Sequence, residues 1–170
     1  MSKKDLKKYL SSLEKVRLEE QILELYNKFD NVKTYYNFAF DPKEDKLIGE
    51  AKFKISKEYF PQNRRKAKAR RSVAQNQIRH FLQLGVDPIL IAGVMFFNIE
   101  IAQTFSADKH NVAEAFSKSM FRSFEQAVNY ILQNELTSEF INRIYKIKDE
   151  AEVQTWPNLY QFEKMTDQFD

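Results

Sequence analysis

The stretch that decides the fold is DPILIAGVMFFNIEIAQTF, residues 87–105. Asp87 followed by Pro88 is a strong helix start, because Asp caps the first backbone amides and Pro suits the first helical position. The residues that follow are apolar on nearly every face through Phe97, so a helix here has no side that suits water. The sequence therefore predicts a helix from Pro88 to about Phe105 at the centre of the protein, surrounded by other helices.

The same stretch does not predict a membrane span. Its most apolar run covers residues 89–97, far short of the roughly 20 residues that a span requires. The N-terminal MSKKDLKKYL is charged and lacks the apolar core of a signal peptide. The chain has no Cys, which excludes disulfides and thiolate zinc sites. We therefore expect a cytoplasmic protein that does not contact membranes.

The rest of the chain is poor in the residues that turns require. It contains 3 Gly and 4 Pro in 170 residues, whereas sheet proteins draw on Gly for their many turns. Apolar residues recur at helical spacing through most of the chain. The sequence predicts an all-α fold, a compact single-domain bundle of seven or eight helices over residues 1–170.

Three further segments carry structural predictions. In residues 32–40, Tyr36, Phe38 and Phe40 alternate as in a strand, but a lone strand has no partner in this chain, so we predict a helix. The last amphipathic piece begins at Trp156-Pro157, and we expect it to dock through Trp156 and Phe162. Asp41-Pro42 reads as another capped helix start, with Glu44 closing a capping box.

Four motifs carry a family resemblance. They are VKTYYNFAFDPKEDKL at 32–47, KEYFP at 57–61 followed by an Arg/Lys run, LGVDP at 84–88 and IAGVMFFNIEIAQTF at 91–105. With these the chain resembles an uncharacterised bacterial family of small helical proteins, a domain of unknown function. The resemblance covers nearly the whole chain. It implies a compact helical bacterial protein and carries over no catalytic residue.

Charge is distributed unevenly along the chain. Residues 1–75 hold 19 Lys/Arg and 11 Asp/Glu, a net of +8, whereas residues 76–170 hold 8 and 13, a net of −5. The positive charge is densest in a basic connector, residues 62–71. Its six cations, with no acid among them, are Arg64, Arg65, Lys66, Lys68, Arg70 and Arg71.

Three interpretations of the basic connector stand side by side. Six cations suit the phosphates of a nucleic acid, since Arg and Lys neutralise phosphates and release counterions. A solvated connector kept for solubility is the second interpretation. The third is pairing with the acidic C-terminal end, formed by Asp149, Glu150, Glu152, Glu163, Asp167 and Asp170.

A second candidate site lies on the central helix. Glu100 stands between Ile99 and Ile101, and a buried carboxylate must find a partner or raise its pKa. We expect a structural salt bridge with Arg79 or Arg122. The alternative is a polar pocket at Glu100 with Tyr35 or Tyr36 nearby.

The aromatic cluster of residues 35–40 is also open to two readings. Its rings suit a stacking platform for bases, but aromatic residues at helical spacing usually belong to a core. The members are Tyr35, Tyr36, Phe38 and Phe40.

The sequence contains no motif for catalysis or cofactor binding. Phosphate-binding loops, dinucleotide fingerprints and nucleophile elbows are absent, and we predict no cofactor, no metal and no catalytic residue. Our leading hypothesis is a non-catalytic binding or accessory module whose partner is unknown, an acidic protein surface or a nucleic acid being the two candidates. The alternatives are a nucleic-acid-binding protein that uses residues 64–71, and a small-ligand protein or enzyme with a pocket at Glu100.

Overall fold

The structure is a computed structural model that describes residues 1–62, 65–108 and 112–169. These ranges contain helices and no strand, as the composition predicts. Backbone contacts group the chain into two compact units, Met1–Lys43 and Glu44–Asp170.

The first unit consists of α1 (Lys3–Ser11), α2 (Lys15–Lys28) and α3 (Asp30–Phe40). Ser2 and Asp5 form a capping box at the start of α1. The Tyr26 hydroxyl donates to Asn37 Oδ1 at 2.9 Å and ties α2 to α3. No residue of these three helices is buried. The unit is therefore held together by contacts between partly exposed side chains rather than by an enclosed core.

The ambiguous segment at residues 32–40 lies inside α3, so the prediction of a helix there is confirmed. Its aromatic residues contact one another along the helix. The ring of Tyr36 meets that of Tyr35 edge-on at 5.6 Å and stacks with that of Phe40 at 6.4 Å. The contact between Tyr36 and Phe40, four residues apart, is the spacing that helical geometry brings together.

The second unit contains the remaining helices of the described residues. They are α4 (Glu44–Tyr59), α5 (Arg71–Leu84), α6 (Pro88–Ser106), α7 (Glu114–Gln133), α8 (Thr137–Val153) and α9 (Leu159–Thr166), followed by a 3₁₀ turn, Asp167–Phe169. The described residues thus hold nine α-helices, so our prediction of seven or eight is slightly low.

Helix α6 is the centre of this unit, as predicted. It packs against α4, α5, α7 and α8, and ten of its 19 residues are buried. By length and composition α6 is also apolar enough to cross a membrane, the one such helix among the described residues. A core helix of a soluble protein passes the same test, and 56% of the apolar window is buried within the fold.

The ends of α6 and of its neighbours follow the sequence signals closely. The Asp87 carboxylate accepts the Ile89 amide at 2.9 Å, and Pro88 occupies the first turn. Gly85 ends α5 in the left-handed conformation, at φ 76°. The prediction of a capped helix start at Asp41-Pro42 is wrong, because α4 begins at Glu44. The Glu44 carboxylate does not close a capping box but accepts the backbone N–H of Asp87 at 3.0 Å.

The C-terminal segment docks as predicted. Trp156 is 2% exposed and Phe162 is fully buried, and their ring centroids lie 5.6 Å apart. Phe162 also meets Phe124 of α7 at 5.0 Å. These aromatic contacts attach α9 to the bundle.

One polar pair is enclosed in the core. The Tyr59 hydroxyl donates to Asn98 Oδ1 at 3.4 Å, near the limit for a hydrogen bond, while Asn98 Nδ2 has no partner among the described residues. Burial raises the pKa of Tyr59 to about 12, so its phenol stays protonated at neutral pH.

This pair yields a stability prediction. Tyr59→Phe should lower the free energy of unfolding by about 1 kcal/mol, because it leaves the buried Asn98 amide with no partner at all. Tyr59→Phe combined with Asn98→Leu should restore or exceed the wild-type value, since both polar groups are then removed together. Urea unfolding of the three proteins measures this. A double variant less stable than Tyr59→Phe alone would contradict it.

Candidate anion-binding pocket

The basic connector is attached to the last turn of α4 by its backbone. The carbonyl oxygen of Glu58 accepts the amides of Lys68 at 3.0 Å and Ala69 at 2.9 Å. Ala69 takes a left-handed backbone conformation, at φ 47°, which is uncommon for a residue with a Cβ. Glu58 thus fixes the course of the chain between α4 and α5.

The side chain of Glu58 makes the second attachment. Arg70 donates Nε to Oε2 and Nη2 to Oε1 of this carboxylate, both at 2.8 Å. Glu58 is 14% exposed and Arg70 53%. The hydrogen bonds from Arg70 hold the pKa of Glu58 below its ordinary value, against the opposing effect of burial. The pair therefore stays ionised and keeps the start of α5 beside the end of α4.

A cavity of about 340 Å³ lies between these attached segments. We call it the basic pocket. Its lining includes five cations and a single carboxylate, a net formal charge of +4 (5 − 1). The lining residues are Lys57, Glu58, Pro61, Gln62, Arg65, Lys66, Lys68 and Arg70.

Four of the five cations form no ion pair in the described part of the chain. Glu58 is engaged by Arg70, and no other carboxylate there lies within ion-pair distance of Lys57, Arg65, Lys66 or Lys68. Lys66 and Lys68 are exposed, and the Lys57 ammonium lies 4.0 Å from the centroid of the Phe53 ring. The pocket therefore presents positive charge that the fold does not neutralise.

The structure divides the six predicted cations. Arg65, Lys66, Lys68 and Arg70 line the basic pocket, and Arg64 lies outside the described residues. Arg71 points to α7, where Nε donates to Ser123 Oγ at 2.8 Å and Nη2 donates to Gln126 Oε1 at 3.1 Å. Burial, and then the nearby cation of Arg122, lower the pKa of Arg71.

The acidic C-terminal end forms no described ion pair with the basic connector. Asp149 and Glu152 pair with Lys148 of the same helix, at 2.7 and 4.0 Å. Glu150 Oε1 accepts a hydrogen bond from Gln154 Nε2 at 2.7 Å. Asp170 lies outside the described residues.

Glu100 forms a salt bridge, but with Arg143. Arg143 of α8 donates Nε and Nη2 to the two oxygens of Glu100, at 2.7 and 2.8 Å. Its guanidinium carbon also lies 5.3 Å from the ring centroid of Phe96 and 5.5 Å from that of Phe140. The Glu100 side chain is 33% exposed, so it is only partly buried.

The prediction of a structural salt bridge is therefore confirmed, and its predicted partners, Arg79 and Arg122, are wrong. Both arginines are exposed, on α5 and α7. Arg143 follows Phe140 by one helical turn and lies over the stacked Phe96–Phe140 rings. Because the register of α8 against α6 decides this contact, the sequence alone did not select it.

The predicted aromatic sites lie in the first unit. Tyr35 is 48% exposed and Phe40 is 86% exposed, and no residue of α3 is buried. The expectation that these rings belong to a core is therefore wrong.

Two charged members of the basic pocket were missed by sequence reasoning. Lys57 and Glu58 belong to the KEYFP motif that precedes the connector, and their proximity to the Arg/Lys run was the available signal. Among the described residues, no group of three or more His, Asp and Glu side chains is placed to hold a metal ion.

Comparisons with known proteins agree with the resemblance drawn from the motifs. A family model described as a family of unknown function, DUF6155, matches residues 1–170. No curated protein and no solved structure matches the chain significantly.

The Glu58–Arg70 pair predicts a pH dependence. Because the folded-state pKa of Glu58 is lowered below 4.5, its contribution to stability is complete above that pH and is lost as the pH falls through the folded-state value. Glu58→Gln should therefore lose less stability than the wild type between about pH 5 and about pH 3. Glu50→Gln, an exposed carboxylate on the same helix, is the matched control and should follow the wild type in urea titrations. Parallel curves for Glu58→Gln and the wild type would contradict the prediction.

The Glu100–Arg143 pair predicts an energetic coupling between α6 and α8. A double-mutant cycle with Glu100→Gln and Arg143→Met should give a coupling of about 1 kcal/mol in unfolding experiments, because the pair is bidentate and partly buried. The exposed Glu114–Lys118 pair of α7 is the control, with an expected coupling of about 0.4 kcal/mol. Equal couplings would show that the Arg143 pair is an ordinary surface contact.

Proposed function

The chain belongs to the DUF6155 family of unknown function, and we propose that it is a non-catalytic binding module whose basic pocket holds phosphate groups of an anionic partner. The observation that carries the proposal is the cavity of about 340 Å³ whose lining has a net charge of +4. We place this function in the cytoplasm.

The connector is preorganised, which favours binding over simple solubility. Three contacts with Glu58 fix the positions from Lys68 to Arg70: two backbone bonds and one bidentate ion pair. A connector kept only for solubility needs no such attachments, nor the left-handed backbone of Ala69. Binding to prearranged cations loses less conformational entropy than binding that must first order the chain.

The residue types suit phosphate. Arg65 offers a planar fork for bidentate contacts, whereas Lys57, Lys66 and Lys68 offer compact charges on flexible stems. An acidic protein surface presents carboxylates that the same groups also contact, so it is the main competitor for this pocket.

The surroundings of Glu100 do not support the alternative of a small-ligand or enzyme pocket there. Both of its oxygens accept hydrogen bonds from Arg143. The contact joins α6 to α8, which is the arrangement of a structural ion pair rather than of a free acid or base. The described cavities do not include Glu100 in their lining.

The salt dependence of polyanion binding tests the proposal. Lys66→Ala with Lys68→Ala should weaken binding of a fluorescein-labelled single-stranded oligonucleotide and flatten the log–log salt slope by about 1.4, since each lost phosphate contact contributes about 0.7. Fluorescence anisotropy at several salt concentrations measures both quantities.

The matched control is Lys46→Ala with Lys146→Ala. It removes the same number of exposed lysines from helices of the second unit, outside the pocket lining. This control should keep the wild-type slope. If both double variants flatten the slope equally, binding follows net charge and the basic pocket has no special role. Absence of wild-type binding at low salt also refutes the proposal.

A further inference from the structure

A second concave surface lies between α7 and α9. Two adjoining concavities of about 340 Å³ each share Phe121, Glu125 and Gln161, and we call their union the α7–α9 groove. Lys118 and Arg122 line one of them, and Tyr160, Lys164 and Met165 line the other. The groove therefore combines three cations with exposed aromatic surface and contains one carboxylate.

The cations of this groove continue those of the basic pocket. Lys118, Arg122 and Gln126 form a row along α7, with successive Cα atoms about 6 Å apart. Gln126 holds the guanidinium of Arg71 at the end of the row. Arg71 is the chain neighbour of Arg70, the last residue of the pocket lining.

Arg71 has an unusual set of partners. Its acceptors, Ser123 and Gln126, are neutral, and no carboxylate in the described part of the chain lies within ion-pair distance. A partly buried guanidinium without a counter-charge attracts an external anion more strongly than a paired one. Arg71 therefore carries a charge that no ion pair in the described part of the chain neutralises, whereas Arg70 is paired with Glu58 and Lys118 with Glu114.

Tyr160 supplies an aromatic face at the far end of this path. Its side chain is 66% exposed, and it has no ring contact or hydrogen-bond partner within the described residues. Glu125 lies in the same groove, where its negative charge opposes a phosphate but can accept an N–H donor of a base. Surfaces that bind single-stranded nucleic acid combine cations, which contact the phosphates, with exposed aromatic rings, on which the bases stack. The groove offers both.

We propose that the anionic partner is single-stranded nucleic acid, with phosphates running from the basic pocket past Arg71 and Arg122 and a base stacked on Tyr160. The inference rests on the proposed function and deepens it. A duplex keeps its base faces inside the stack, so it offers nothing to Tyr160. An acidic peptide provides charge for the pocket but no base to stack.

The test uses the full chain and a labelled dT strand of about 20 nucleotides, with the matching dA·dT duplex alongside. Tyr160→Ala should weaken strand binding about tenfold and leave the salt slope unchanged, because stacking involves no counterion release. Tyr160→Phe should bind like the wild type, and Tyr160→Ala should leave duplex binding unchanged. Arg122→Ala should instead flatten the strand's salt slope by about 0.7.

Controls separate this inference from the proposed function. Tyr9→Ala removes an exposed tyrosine from α1, outside the groove, and should not weaken strand binding. If Tyr160→Ala binds the strand normally while Lys66→Ala with Lys68→Ala does not, the inference is wrong and the phosphate pocket stands. If the lysine variant also binds normally, the proposed function itself fails.

Two further outcomes overturn the inference. Duplex bound as tightly as the single strand would show that base stacking contributes nothing. Displacement of the strand by equimolar polyglutamate would identify an acidic protein surface as the partner. Thermal melting of every variant confirms that the fold is retained, which the exposure of Tyr160 leads us to expect.

Discussion

The enclosure of α6 is the constraint on which residues 44–169 depend. An apolar helix without a polar face must be covered on all sides, and α4, α5, α7 and α8 provide the cover. Two polar side chains of α6 have their partners on α8. Gln103 donates to the Ile147 carbonyl at 2.8 Å, and Glu100 pairs with Arg143. These bonds fix α8 against α6, so the same helix sets both the core and the register of its neighbours.

The geometry of the basic pocket depends on that core. Tyr59, 2% exposed, is enclosed beside α6, and the adjacent Glu58 holds the connector through its backbone and its side chain. The cations are therefore placed relative to a rigid helix end, although several of them are exposed. A long basic loop without this anchor would sample many arrangements and lose entropy on binding any one of them.

Local signals were predictable from the sequence, and contacts between helices were not. The cap at Asp87, the stop at Gly85 and the burial of α6 each follow from residues within a few positions of one another. The partner of Glu100 depends on how α8 lies against α6, and no periodicity encodes that register. The basic connector illustrates both cases: its charge was visible in the sequence, while the different partners of Arg70 on α4 and of Arg71 on α7 became visible only in three dimensions.

Three arginines of the second unit are held in place by hydrogen bonds. Their partners decide whether each positive charge is neutralised. Arg70 and Arg143 each meet a carboxylate through two hydrogen bonds, so their charges are cancelled locally. Arg71 is oriented just as firmly, but by a hydroxyl and an amide, which satisfy its donors and leave its charge in place. Proteins bury an uncompensated cation at a cost in desolvation. Arg71 is therefore a partly buried cation between the basic pocket and the α7–α9 groove whose charge no carboxylate of the described residues offsets within ion-pair distance.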